Sequence, residues 1–415
     1  MTTEAISRFS TGYRERTLDE LCSLRRELVE PSSTEANRYV GLEHIDPGIP
    51  QIRRWGHDGD LRSTKSRFYA GDVLYGKLRP YLDKAALAEW EGICSTDILT
   101  LRPHSEVADP RYLSFLLHTS AFLAHAAATT SGVNHPRTSW ADIARFSHPV
   151  PPLPEQRAIV VVLSKIQAAV EVQDKIVATL KELKAATMAK LFREGLRGES
   201  LKQTEIGEMP ESWEIVRLGK HCAISSGGTP ARDVAEYWNG NIPWVKTGEI
   251  DYRPITSTEE CITEAGLQNS AAKMLPKGTL LMAMYGQGVT RGKVAFLEIE
   301  AATNQACAAL FPDESLDSGY LYALCTFAYN RVRELGHGAN QKNLSADIIR
   351  EILLPLPSTV EEQKEIYCVL RALESRLQIA ERNRDTFKSL FSSMLHLLMT
   401  GQVRVNNLKS EEVSK

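Results

Sequence analysis

Two stretches of this chain carry the same apolar pattern. From Glu155 to Glu194, and again from Ser358 to Thr400, neither Pro nor Gly interrupts the sequence. In the first stretch Ile159, Leu163, Ile166, Val170, Val177 and Leu180 follow three- and four-residue steps, with polar Gln173 in the same row. In the second, Ile366, Leu370, Leu373, Leu377, Ala380 and Phe387 take matching places, with Arg384 where Val177 stands. A 3,4 repeat lays one apolar stripe along one face of a helix, the mark of a coiled-coil seam. Lys165, Glu171, Asp174, Lys181 and Glu182 fall off that stripe. A helix of about 35 residues would be roughly 50 Å long, whereas ordinary globular helices average about 11–12 residues. Two such helices in one chain can bury their stripes against each other as an antiparallel coiled coil.

Each long stretch follows a proline-punctuated segment that ends in Glu-Gln. The first runs from Pro149 through Pro151, Pro152 and Pro154 to Glu155-Gln156; the second runs from Pro355 and Pro357 to Glu361-Glu362-Gln363. The segments ahead of the two helices share a plan. RTLDELCSLRREL is predicted helical, and Arg38–Val40, Phe68–Ala70 and Ile98–Leu101 read as short strands between turns such as Asp46-Pro47-Gly48. A helix is predicted over Arg111–Ala127. In the second half Trp213, Leu218 and Cys222 align with Tyr13, Leu18 and Cys22. Trp244-Val245 matches Tyr39-Val40, Thr303-Asn304 matches Thr96-Asp97, and Tyr320-Leu321 matches Tyr112-Leu113. The period of roughly 205 residues is too long for a solenoid. The predicted class is α+β: two similar globular α/β domains separated by two long helices, a pseudo-two-fold tandem duplication. The boundaries read as domain 1–150, helix 151–198, domain 199–355, helix 356–402 and a C-terminal tail 403–415, its charged stretch 406–415 frayed.

Composition changes this picture little. The 415 residues allow two or three domains. A formal net charge of −3 means that any nucleic-acid surface is local. Seven scattered cysteines without a Cys-x-x-Cys pair suit a reducing compartment. No signal-peptide pattern or membrane-length apolar run is present, so a cytoplasmic protein is expected.

Catalytic signatures are missing. The nearest approach to a phosphate loop, Gly286 to Lys293, has the wrong spacing, and Val294 stands where a metal-binding hydroxyl is needed. There is no Gly-x-Gly-x-x-Gly after a strand, no Asn-Pro-Pro-Tyr string of an amino-methyltransferase and no zinc-binding His/Cys cluster. A lone histidine such as His118 reads as structural. Together these absences favour a protein without catalysis or cofactor of its own.

Paired loops are the candidate binding elements. Tyr75, Lys77, Arg79, Tyr81 and Lys84 interleave cations and aromatics around Gly76 and Pro80. Tyr285, Gln287, Thr290, Arg291 and Lys293 stand at the equivalent place in the second half. Asn134, His135 and Arg137 form a second polar loop, matched by Asn340, Gln341 and Lys342. Lys and Arg neutralise phosphates, and Arg, Gln and Asn can pair with base edges. Ser226-Gly227-Gly228-Thr229-Pro230, with Lys246, is a weaker candidate without a first-half counterpart.

The twice-used proline-Glu-Gln approach to a long helix resembles the conserved regions of specificity subunits of type I restriction–modification systems. Ile206–Trp213 opening the second half, Gly228-Thr229-Pro230 with Ile242–Val245, and the Leu397–Gly401 end are further likenesses. Gly76–Lys84 looks like a loop of a target-recognition domain. The resemblance implies a DNA-reading adaptor. Its two target-recognition domains would each read half of a split site in double-stranded DNA. Its helices would set the spacing and dock two methyltransferase subunits that use S-adenosylmethionine, with restriction subunits joining in some systems. The competing expectation is a coiled-coil interaction scaffold that reads no DNA.

Overall fold

A computed structural model describes residues 12–30, 38–57, 63–132, 134–286, 289–335 and 343–405. The charged stretch 406–415 of the expected tail lies outside them. The chain divides into two units: Met1–Asp174 with Glu381–Lys415, and Lys175–Ala380. The division falls inside both long helices, so each unit contains one half of each.

In the first unit the strands are β1 (Arg14–Thr17), β2 (Cys22–Leu24), β3 (Leu28–Val29), β4 (Tyr39–Val40), β5 (Lys65–Phe68), β6 (Val73–Gly76), β7 (Ala85–Leu87), β8 (Gly92–Cys94), β9 (Ile98–Pro103) and β10 (Ser147–Val150). The helices are α1 (Leu18–Leu21), α2 (Pro110–Leu116), α3 (Ser120–Ala128), α4 (Trp140–Ile143) and α5 (Leu153–Glu194), the first long helix. One sheet runs β2-β9-β6-β7 and another β3-β5-β8-β4, while β1 pairs with β10.

The second unit adds β11 (Leu201–Thr204), β12 (Gly207–Pro210), β13 (Glu214–Arg217), β14 (Cys222–Ser226), β15 (Trp238–Val245), β16 (Glu260–Ile262), β17 (Leu280–Ala283), β18 (Val294–Phe296), β19 (Ala302–Thr303), β20 (Cys307–Pro312) and β21 (Leu353–Leu356). Its helices are α6 (Leu218–His221), α7 (Glu264–Gln268), α8 (Ser318–Phe327), α9 (Tyr329–Glu334), α10 (Ala346–Arg350) and α11 (Val360–Met399), the second long helix. Its main sheet, β14-β20-β17-β18, repeats the order of β2-β9-β6-β7. β13 pairs with β21 as β1 pairs with β10. β15 runs parallel to β19 as β4 runs parallel to β8. The duplication therefore extends to register.

Two expected helices are corrected. RTLDELCSLRREL is helical only over Leu18–Leu21, because Arg14–Thr17 pairs with Ser147–Val150 and Cys22–Leu24 with Leu101–Pro103. Tertiary pairing overrides local propensity there. The helix expected over Arg111–Ala127 is two helices, α2 and α3, because Thr119 caps a new start by accepting from the Phe122 amide. The strand expected at Phe68–Ala70 keeps only Phe68 and lies mainly N-terminal to it.

The recurring Glu-Gln pair has a physical role. Gln156 is fully buried; its Oε1 accepts from the Asp109 amide at 2.9 Å and its Nε2 donates to the carbonyls of Val107 at 2.8 Å and Pro151 at 2.9 Å. Gln363 repeats this: Oε1 accepts from the Asp317 amide at 2.7 Å and Nε2 donates to the Ser315 carbonyl at 2.9 Å. Asp109 and Asp317 are the N-caps of α2 and α8. One side chain thus ties each long helix to the capped end of a core helix.

The glutamates before these glutamines receive the far end of the other long helix. Glu155 makes a two-pronged ion pair with Arg404, just beyond α11. Glu362 accepts from the amide of Leu196, just beyond α5, at 3.0 Å and from Trp213 Nε1 at 3.4 Å. α5 stops at Gly195 and α11 at Gly401, with φ of 64° and 72°, the left-handed conformation that ends helices cheaply only at glycine. Trp213 lies against the first and Tyr13 against the second, where an added Cβ would come within 3.1 and 3.2 Å of the rings.

Within each unit the long helices run antiparallel. In the second unit Val177 packs with Leu377 and Ala380, Lys184 pairs with Glu374, and Arg197 with Glu365. In the first, Asp174 meets Lys388 and Glu155 meets Arg404. The sequence stripe is this seam toward the middle of the helices, where Leu180 joins Val177 and Ile166, Val170, Leu373 and Phe387 are half-buried. Toward the ends it becomes domain core. Ile159 and Leu163 pack in the first core with Leu395 and Leu398, and Ile366 and Leu370 in the second with Met188 and Leu191.

Candidate DNA interface

In the first unit two loops far apart in sequence form one surface. The Arg79 amide donates to the Pro136 carbonyl at 2.7 Å, and the Thr138 amide to the Lys77 carbonyl at 3.1 Å. Leu78 and Arg137 form a β-bridge. Lys77, Arg79, Tyr81, Asn134, His135 and Arg137 are thereby brought together. Arg79, Asn134, His135 and Arg137 are exposed, Tyr81 is 60% exposed and Lys77 is half-buried.

The loop is held in an uncommon conformation. Arg79 and Asp83, on either side of the Pro80–Leu82 turn, both have φ of 52°. Such left-handed non-glycine residues persist only where the surroundings over-determine them. Here buried His118 does so: its Nδ1 lies 2.6 Å from Asp83 Oδ1 and its Nε2 donates to the Ala85 carbonyl at 3.0 Å.

Other expected contacts face inward. Tyr75 lies on β6 with no exposed surface, edge-on to Phe122, so it is a core residue and presents nothing to DNA. Lys84 donates its ammonium to the Leu42 carbonyl. Its structural equivalent Lys293 pairs with Asp251 and lies 5.5 Å from the Tyr252 ring centre.

The second unit builds its loop on the same frame. The Ala283 amide donates to the Lys293 carbonyl as Gly76 does to Lys84, and the Leu344 amide to Met284 as Thr138 does to Lys77. Tyr285 is 40% exposed and Thr290 half-buried. Arg291 is 7% exposed and donates an Nη to the Arg333 carbonyl at 3.0 Å, so it braces the loop from inside. Tyr329 donates its hydroxyl to the Val289 carbonyl at 2.5 Å. Gln287, Asn340, Gln341 and Lys342 lie outside the described residues.

The weaker candidate is a packing device. A Cβ on Gly227 would fall 2.1 Å from the Thr303 carbonyl oxygen and one on Gly228 2.3 Å from the Ala271 backbone. Trp244 Nε1 donates to the Gly228 carbonyl at 3.0 Å. Lys246 bridges Glu259 at 2.6 Å and Glu260 at 3.1 Å, so a phosphate would compete with two carboxylates for it.

Sequence reasoning missed the supporting roles of Asp97, Asp83 and Tyr329, and read His118 as structural without its partner Asp83. Asp83 was visible only as part of the Gly76–Lys84 loop, and Asp97 as the acidic member of the Thr96-Asp97 and Thr303-Asn304 match. Among the described residues no group of three or more His, Cys, Asp or Glu side chains could hold a metal ion. No described helix is long and apolar enough to cross a membrane.

The family model described as "Type I restriction modification DNA specificity domain" matches residues 65–182 and again 210–386, one match per copy. The chain belongs to that family. It is a DNA sequence-specificity subunit of a type I restriction–modification complex, a component without catalysis of its own. Among its relatives, the putative type I restriction enzyme MjaX specificity subunit of Methanocaldococcus jannaschii is 25% identical over 382 residues, 88% of this chain and 86% of that protein. The EcoDI specificity subunit of Escherichia coli is 32% identical over 182 residues, 42% of this chain and 40% of that protein. The S subunit of a type I restriction–modification system from M. genitalium has the same fold, with a TM-score of 0.61 at 16% identity, covering 93% of this chain and 96% of that one.

Proposed function

We propose that each globular domain of this specificity subunit reads one half of a bipartite DNA target, through loops 77–84 and 134–137 in the first and 285–293 and 340–343 in the second. The observation that carries this reading is a shared frame bearing different loops. The sheets and loop anchors repeat, while Arg79, His135 and Arg137 have no like residues at the equivalent places. Two equivalent frames with unlike surfaces suit two unlike half-sites. The long helices fix the gap between the half-sites, and their outward faces dock two modification subunits. Restriction subunits join that core where the system has them. The assembly works in the cytoplasm on the cell's own DNA.

The test is DNA binding by the chain assembled with its modification subunit, measured across a salt series on the methylated motif and on duplexes with either half scrambled. Each scrambled half is expected to weaken binding by a factor that persists at high salt, because counterion release governs only the phosphate contacts. Equal affinity for all duplexes at every salt concentration would leave a scaffold that reads no DNA.

A further inference from the structure

We infer that Arg137 reads a guanine in the first half-site, and that Asp97 is the positioning residue that aims it. The inference deepens the proposed half-site reading and rests on it. Arg137 is fixed at its backbone and at one edge of its guanidinium. Its amide donates to the Ser131 carbonyl and its carbonyl accepts from the Ser131 amide, both at 2.9 Å, while its other side bridges Leu78. Its Nε donates to Asp97 Oδ1 at 3.1 Å. Asp97 is itself held: its amide donates to Ser95 Oγ at 3.2 Å and its carbonyl accepts from the Lys77 amide at 3.0 Å.

This arrangement uses the Nε edge and leaves the two Nη groups available. Among the described residues they donate to nothing, and the side chain is 46% exposed. A planar fork with two parallel N–H groups matches O6 and N7 of guanine, the commonest specific major-groove contact. A phosphate contact needs no such aiming, and a carboxylate beside it would oppose the phosphate. Asp97 therefore favours a base edge over the backbone as the partner of Arg137. Among the described residues the second unit shows no such device. Asn304 stands in place of Asp97 and is occupied within the fold, its Oδ1 accepting from Thr247 Oγ1 at 3.0 Å and from the Ala306 amide at 3.1 Å. Exposed Asn343 stands in place of Arg137.

The experiment uses the complete chain with its modification subunit. The wild-type motif is taken from the methylome, and affinities are measured on duplexes carrying each substitution in either half-site, at several salt concentrations. Arg137→Lys keeps the charge and loses the fork. It is expected to cut discrimination at one G·C pair of the first half-site by roughly 5- to 150-fold, with discrimination in the second half-site and the salt slope unchanged. Asp97→Ala is expected to relax the same base pair while raising affinity for scrambled DNA, since it removes a negative charge from the surface. A residue that merely holds the fold would not produce that opposite pair of effects. If Arg137→Lys keeps full discrimination and Arg137→Ala lowers binding equally on every duplex with a shallower salt slope, Arg137 is a phosphate contact and the inference fails. If the wild-type complex itself shows no sequence preference, the half-site reading fails first, and these variants register that separately.

Discussion

Gln156 and Gln363 offer the sharpest quantitative prediction, because one residue type does the same job twice with different numbers of bonds. Gln156→Ala removes three buried hydrogen bonds, to the Asp109 amide and to the carbonyls of Val107 and Pro151. Gln363→Ala removes two, to the Asp317 amide and the Ser315 carbonyl. At about 1 kcal/mol net for each bond, the first unit should lose about 3 kcal/mol and the second about 2 kcal/mol. The stranded groups are backbone and buried, so these values lie at the low end of what such a loss costs. A single melting temperature would blur the comparison, since a chain with two units need not unfold in one step. Native-state hydrogen exchange separates them. The amides of Leu113 and Leu321 sit one turn into α2 and α8, bonded to the carbonyls of Asp109 and Asp317. Where these amides exchange by opening of their own unit, Gln156→Ala should reduce protection at Leu113 by roughly 150-fold and leave Leu321 alone. Gln363→Ala should reduce Leu321 by roughly 30-fold and leave Leu113 alone. The reasoning is refuted if the order is reversed, if both variants lose less than about 0.5 kcal/mol, or if either change appears in the wrong unit.

His148 predicts a pH dependence confined to the first unit. Burial lowers its pKa, against a smaller opposing effect of its bond to the Met399 carbonyl at 2.9 Å and the charge of Glu15. The fold therefore holds it neutral, and the unfolded chain takes up a proton first as pH falls. Its contribution is complete above about pH 6.5 and is lost progressively below it. Hydrogen exchange or melting of the first unit between pH 8 and pH 5 should show this loss, and His148→Gln should flatten it; a first unit that gains stability on acidification would contradict the sign. For the spacer, deleting residues 173–179 and 380–386 together removes one facing heptad from each long helix and keeps the seam in phase. That shortens each by ~10.5 Å and should contract the gap in the methylated motif by about 3 bp; an unchanged gap in the methylome would show that the helices do not set it.

The duplication and the seam were legible in the sequence because both are periodic. A stripe at 3,4 spacing survives whatever it packs on, and a Glu-Gln pair after prolines marks the same junction twice. The role of Gln156 was not legible, since its three partners lie across the fold and nothing local announces them. Tyr75 shows the same limit for the site. An aromatic beside lysine and glycine reads as a surface residue, yet β6 is buried on both faces: alternate residues point opposite ways, Val73 and Tyr75 into one core cluster and Leu74 into another. Lys84, Lys246, Arg291 and Lys293 are cations whose partners come from residues more than ten positions away, so their engagement could not be foreseen from spacing. Asp97 was visible only as half of a matched pair. What it does depends on Arg137, which lies 40 residues further along the chain.

The central claim is that two separate readers, on one duplicated frame, each recognise their own half of the target. Replacing residues 1–150 with the corresponding segment of a related specificity subunit, and sequencing the methylome of cells that carry the hybrid with its modification subunit, tests it most directly. The account predicts a motif in which one half changes while the other half and the gap stay as they were; a motif changed in both halves would contradict it.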